Sequence, residues 1–180
     1  MDKYIDNLPA DAIQRSLYGT RGVIFDFNGT MIFDSDIHRR VWYEFFLERA
    51  PRRVGYDEIR DYVLGRDNAA ILRHYLGADL GDKDIEKLTY KKEATYRRLC
   101  LEDKARFRFV EGLEEFLDYL LAKRMPMTIA TGSEINNVLF YFERLGLSRW
   151  FDFDRVIYDD GTFPAAQNKK EHCLFRSLSL

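Results

Sequence analysis

The chain has 180 residues, the length of one core domain with room for an inserted module. Apolar residues make up 46% and aromatics 15%, ample for a packed core, while 32% charged residues leave a net charge of only −2. That balance calls for neither nucleic acid nor a membrane surface as a partner, and two cysteines, Cys100 and Cys173, are too few for a disulfide framework or a zinc site.

Residues 1–14 carry Asp2, Asp6 and Asp11 and no apolar core region, so they do not read as a signal peptide. No apolar run approaches the length of a membrane span. A reducing cytoplasm is the expected compartment. A short helix is expected over 9–18, leading into a strand over 22–27. That strand reads Val23-Ile24-Phe25-Asp26-Phe27, an apolar run ending in an acid, and it breaks on Asn28-Gly29-Thr30. A carboxylate at the carboxyl end of a buried strand lies where open α/β sheets bind ligands.

From Ser35 the period turns helical. Val41, Trp42, Phe45 and Phe46 share one face of a helix of about 15 residues that Pro51 ends. Further helices are expected over 56–64, closed by Gly65, over 68–76, stopped by Gly77, and from Asp82, carrying Ile85, Leu88, Tyr96 and Leu99. Lys91, Lys92, Arg97 and Arg98 read as the solvated face of this fourth helix. Residues 36–103 therefore form a helical bundle without strand signals. Next come an amphipathic helix through Leu113, Leu117 and Leu120, a strand over 125–130, a helix through Ile135, Val138 and Phe142 stopped by Gly146, and a strand over 155–158. This alternation indicates parallel βαβ units. The expected fold is α/β, a Rossmann-like parallel sheet core (1–35 and 104–180) with an inserted α-helical bundle (36–103).

Two strand ends carry the chemistry. Asp26 closes the first strand; Thr131-Gly132-Ser133 follow the second and lead toward a helix N-terminus, where backbone N–H groups attract anions. A carboxylate facing an anion site suggests nucleophilic attack on a phosphoryl group through an acyl-phosphate. A divalent cation such as Mg²⁺ would then offset the repulsion between the two anions.

These motifs, in order and at this spacing, resemble the haloacid dehalogenase-like hydrolase superfamily over roughly residues 20–163. They include Asp26-Phe27-Asn28-Gly29-Thr30, Phe33-Asp34-Ser35, His38 with Trp42, Ile129-Ala130-Thr131-Gly132-Ser133, and Gly146-Leu147 with Trp150-Phe151-Asp152. The stretch Asp34-Ser35-Asp36-Ile37-His38 is similar to the β-phosphoglucomutase and small-phosphatase subgroup. The resemblance implies a helical cap and a small phosphorylated metabolite as substrate. It also implies that Asp26 is nucleophile and metal ligand and that the backbone carbonyl of Asn28 is a second ligand to Mg²⁺. Thr131 and Gly132 would bind the transferred phosphate. Arg66, in Gly65-Arg66-Asp67-Asn68, is either a substrate contact or a solvated loop charge. His38 would lie near the hinge and the mouth of the site among the substrate-binding residues, as a hydrogen-bonded interdomain histidine rather than an acid or base.

The chain departs from the family pattern twice. Phosphatases of the family usually carry aspartate where Asn28 stands, and losing a positioned acid/base typically costs about 10²- to 10⁴-fold in rate. Asn28 thus points to slow hydrolysis, a good leaving group, an acid from elsewhere, phosphonate or halide cleavage, or a catalytically silent binder of a phosphorylated ligand or protein. After Phe163-Pro164, where the family has Gly-Lys-Pro and later an acidic pair, the chain reads Ala165-Ala166-Gln167-Asn168-Lys169-Lys170. Lys169 or Lys170 would have to replace the expected lysine. The core is accordingly expected to be truncated, its tail altered by a shifted reading frame or a premature end. That expectation fails if the gene beyond codon 164 encodes no lysine and acidic motifs in any frame. The strand 22–27 would then lie at an exposed sheet edge open to self-association.

Overall fold

The computed structural model describes residues 17–19, 21–63 and 66–160. The expected helix over 9–18, all but its last two residues, lies outside these, as do Gly65 and the tail with Lys169 and Lys170. In chain order the described elements are β1 (Val23–Phe25), α1 (Ser35–Arg49), α2 (Tyr56–Val63), α3 (Asn68–Leu76), α4 (Asp82–Glu102), α5 (Leu113–Ala122), β2 (Met127–Glu134), α6 (Ile135–Leu145) and β3 (Ile157–Asp159). The chain divides into two compact units, one of residues 1–31 and 109–180 and one of residues 32–108.

The first unit carries the sheet. Its strand order is β1-β2-β3, and both pairings are parallel. Parallel neighbours need crossovers, and α5 and α6 flank β2 in the chain as such connections do. Phe25 packs edge-on against Phe151, with ring centroids 5.8 Å apart, and against Phe116 of α5. Leu117, Leu120, Ile129, Val138 and Leu147 complete a buried apolar layer. Gly146 ends α6 at φ +66°, the left-handed conformation that glycine reaches without a Cβ penalty. Among the described residues β1 is an edge strand.

The second unit is helical throughout. Trp42, Phe45 and Phe46 of α1 meet Ile59 and Val63 of α2, Ile71, Leu72 and Tyr75 of α3, and Ile85 of α4 in one cluster. Asp36 in the first turn of α1 and Arg49 in its last suit the helix dipole. The Asp67 carboxylate accepts from the backbone N–H of Ala70 at 2.7 Å and caps α3, one turn after the end of α2.

One residue departs from the sequence reading. Lys91 is exposed as expected, but Lys92 is buried, with 3% of its surface accessible. Its Nζ donates to Oε1 of the buried Glu93 at 2.8 Å and lies 5.1 Å from the Trp42 ring centre. Asn68 donates to the same carboxylate oxygen at 2.8 Å. The stripe Ile85, Leu88, Lys92, Tyr96, Leu99 is the apolar face of α4, and Lys92 falls on it. A buried cation is tolerable only with a partner in place, which Glu93 supplies.

Candidate active site

The β1–β2 register pairs Phe25 with Ile129. One residue further along both strands come Asp26 and Ala130, and then Thr131. The sheet thus brings Asp26 and Thr131 to the same carboxyl edge. The Asp26 carboxylate is half-buried and accepts from the backbone N–H of Phe27 at 3.0 Å, which fixes its rotamer. The chain then turns sharply. Met31 N–H donates to the Phe27 carbonyl at 2.8 Å, with Gly29 at φ +76° inside the turn. A Cβ on Gly29 would touch nothing within 4 Å, so its requirement is the backbone angle, not space.

Asn28 is held at both ends of its carboxamide. Its Nδ2 donates to the Tyr141 hydroxyl at 3.2 Å, and its Oδ1 accepts from the Ser133 hydroxyl at 2.7 Å. The two hydroxyls are themselves 3.4 Å apart. Tyr141 is 1% exposed and stacks face to face on Phe27, with centroids 4.1 Å apart and ring planes at 16°. Thr131 is likewise buried, and its Oγ1 accepts from the backbone N–H of Ser133 at 3.2 Å. Asp26 and Asn28, just past the end of β1, therefore share one unit with Thr131 and Gly132 in the second half of β2. Ser133, which the sequence offers only as the last residue of the Thr131-Gly132-Ser133 run, and Tyr141, which it does not single out, join them.

The helix N-terminus differs from expectation. β2 runs on through Glu134, and α6 begins only at Ile135. The Glu134 carboxylate accepts from the Asn136 backbone N–H at 3.0 Å and from the Asn136 side chain at 2.7 Å. The first turn of α6 is thus already capped by an acid of the chain itself.

His38 and Arg66 belong to the helical unit. His38 Nε2 lies 3.1 Å from Oδ2 of the buried Asp34, and its ring stacks on Tyr96 at 4.3 Å. The Tyr96 hydroxyl donates to the same Asp34 oxygen at 2.6 Å. His38 is a hydrogen-bonded histidine in a buried polar group. Arg66 is exposed; its Nε donates to the Tyr62 carbonyl at 2.9 Å and its guanidinium covers the Tyr62 ring. In the same unit, burial pushes the Cys100 thiol up to about 12, although a hydrogen bond with Tyr96 pulls the other way.

Among the described residues there is no cluster of three or more His, Cys, Asp or Glu side chains able to hold a metal ion. The oxygens at hand, the Asp26 carboxylate and the residue 28 carbonyl, are hard donors of the kind Mg²⁺ takes. That ion is commonly held by one or two carboxylates with waters and a substrate phosphate completing its shell. The donor chemistry fits.

Comparison with known proteins places the chain. The family model for haloacid dehalogenase-like hydrolases matches residues 20–174. A HAD hydrolase of family IA, variant 3, from Entamoeba histolytica is 30% identical. Its structure superposes with a TM-score of 0.76, covering 89% of this chain and 71% of that one. β-Phosphoglucomutase from Clostridium difficile, 15% identical, shares the fold with a TM-score of 0.68 over 89% of this chain and 71% of its own. CbbY from Rhodobacter sphaeroides, in complex with xylulose-1,5-bisphosphate, does so at 19% identity with a TM-score of 0.63 over 89% and 73%. A search of curated proteins finds no match. A match over most of the chain, a parallel sheet with flanking helices and a solved relative at 30% identity agree: the chain belongs to the haloacid dehalogenase-like hydrolases.

Proposed function

We propose that this chain is a Mg²⁺-dependent phosphoryl-transfer enzyme acting on a small phosphorylated metabolite. The observation that supports the reading is the parallel β1–β2 register, Phe25 opposite Ile129, after which Asp26 and Thr131 follow one and two residues along their strands in the same direction. An Asp26 oxygen attacks phosphorus and the ester P–O bond breaks. The leaving oxygen takes its proton from solvent, because an amide stands at position 28. Water then attacks the aspartyl-phosphate, breaking the P–Oδ bond and returning the carboxylate. Thr131 and Gly132 bind the phosphate oxygens through hydroxyl and N–H donors. Asp26 and the residue 28 carbonyl would hold Mg²⁺, which supplies charge neutralisation when bound. Arg66 and His38 of the helical insertion would serve as substrate-binding residues. The substrate class draws support from the phosphate and xylulose-1,5-bisphosphate bound to the Rhodobacter fold neighbour.

A second reading is favoured by Asn28, whose carboxamide is hydrogen-bonded on both sides rather than presented as an acid. The chain would then bind a phosphorylated ligand or a protein partner without turnover. Hydrolysis of an aryl phosphate, with and without Mg²⁺, separates the two. Magnesium-dependent turnover lost in Asp26→Asn supports the enzyme, and its survival in that variant sinks the nucleophile assignment. No turnover in the wild type, with saturable phosphate-ester binding by calorimetry, supports the silent binder. A rate gain in Asn28→Asp would identify the missing acid as limiting.

No described helix is long and apolar enough to cross a membrane. A reducing compartment such as the cytoplasm is the proposed location, since two cysteines are too few for a disulfide framework. Among the described residues β1 is an edge strand, which supports self-association by strand pairing; sedimentation at rising concentration would reveal it as a growing dimer fraction.

A further inference from the structure

We propose that Tyr141 and Ser133 are positioning residues that together fix the Asn28 carboxamide, and with it the Asp26–Asn28 segment, for phosphoryl transfer. The inference rests on the reading of Asp26 as the nucleophile. Three observations carry it. The Asn28 amide is gripped from two elements, by a hydroxyl on β2 and another on α6, at 2.7 and 3.2 Å. The Tyr141 ring also stacks on Phe27, so one side chain of α6 constrains both residues that follow Asp26. Tyr141 is 1% exposed, so its hydroxyl sits in the interior of the unit and meets position 28 rather than solvent.

A buried tyrosine needs only its ring to fill a core; its hydroxyl must find a partner. Here the partner is the side chain at the position that phosphatases of the family use for acid/base work. Ser133 approaches the other end of the same amide, leaving it little freedom to rotate. The two hydroxyls thus set the amide plane and the course of the backbone through residue 28. That backbone runs on directly from Asp26, two residues upstream, whose carboxylate carries the chemistry proposed above. Misplacing such a segment by about 1 Å can cost as much as 10²-fold in rate without a change in binding.

The test uses the full chain. The Asn28 side-chain NH₂ signals are identified in a ¹H–¹⁵N spectrum by their loss in Asn28→Asp, and then followed in Tyr141→Phe and Ser133→Ala. Both variants should shift those signals. With Mg²⁺ and an aryl phosphate, each should lower kcat by about 10-fold while KM stays within about two-fold. The double variant should be little worse than the poorer single one, because both act through one amide. Asn28 signals that stay put in Tyr141→Phe overturn the proposal. So does an unchanged kcat in both variants of an active wild type, and so does a loss confined to KM. An inactive wild type refutes the nucleophile reading instead, and the NH₂ signals then decide alone whether the two hydroxyls fix Asn28. Phenylalanine keeps the ring on Phe27, and Ser133→Ala removes the second grip from another element, so a folding failure in one leaves the other decisive.

Discussion

The two units handle buried polarity in opposite ways. In the helical unit, Asp34, Lys92 and Glu93 lie inside an apolar bundle, with His38, Tyr96 and Asn68 hydrogen-bonded to them. In the α/β unit, the corresponding polar group stands at strand ends, where Asp26 and Asn28 are only half-buried and the hydroxyls of Ser133 and Tyr141 close on the amide. A charge sealed in a bundle can be compensated only by its neighbours, so its removal should be felt as instability. A charge at a strand end keeps access to solvent and ligand, so its removal should be felt as lost chemistry.

The sharpest way to break this contrast is to remove one charge from each unit. Asp26→Asn should lower magnesium-dependent turnover by at least about 10³-fold while the thermal midpoint hardly moves; a large fall in that midpoint would mean Asp26 is structural. Lys92→Met should do the reverse, costing about 3–5 kcal/mol in denaturant unfolding, since Glu93 is left buried without its cation. Replacing both as Lys92→Met with Glu93→Leu should recover part of that loss. A single-variant cost under about 1 kcal/mol would show that the pair is not sealed from water.

Tyr96→Phe ranks next. It removes a 2.6 Å donor from the buried Asp34 and should cost about 1–3 kcal/mol in the same unfolding experiment. The smallest effect is a pH dependence. The Cys100 thiol is pushed up to about 12 in the fold from an ordinary value of 9.0. Below pH 9 the thiol is neutral in both states and its contribution is complete. As pH rises from 9 toward 12 the unfolded chain loses the proton first, so this contribution drains away. Cys100→Ala should therefore show a flatter alkaline limb of stability than wild type. In a Cys173→Ser background, iodoacetamide should label Cys100 far faster in denaturant than in buffer at pH 8. Equal labelling rates would refute the burial.

Much of the fold was legible because its helices carry both a period and punctuation. Asn68–Leu76 runs from a capping aspartate to Gly77, and Ser35–Arg49 from an acidic first turn to Pro51, as their sequences indicate. Lys92 carries its signal in the sequence, but a lysine on an apolar stripe looks like part of a charge run when Lys91 precedes it. The candidate site was half legible. Asp26 and Thr131 stand out because each follows a short apolar run. Tyr141 looks like an ordinary core aromatic of α6, and its contact with Asn28 spans 113 residues of chain, beyond any local pattern. β2 runs four residues past the end the sequence predicts, since Thr131-Gly132-Ser133 resembles a turn more than a strand.

The Glu134 cap has a consequence for how any anion would be recognised here. Because that carboxylate sits on the first turn of α6, the positive end of the helix is neutralised from within the chain. A phosphate held by Thr131 and Gly132 would gain little from the long-range field of the helix. Its affinity would come from short, directional bonds to hydroxyl and amide hydrogens. Bonds of that kind discriminate by the tetrahedral shape of the oxyanion, and its charge is left for bound Mg²⁺, not the helix, to offset.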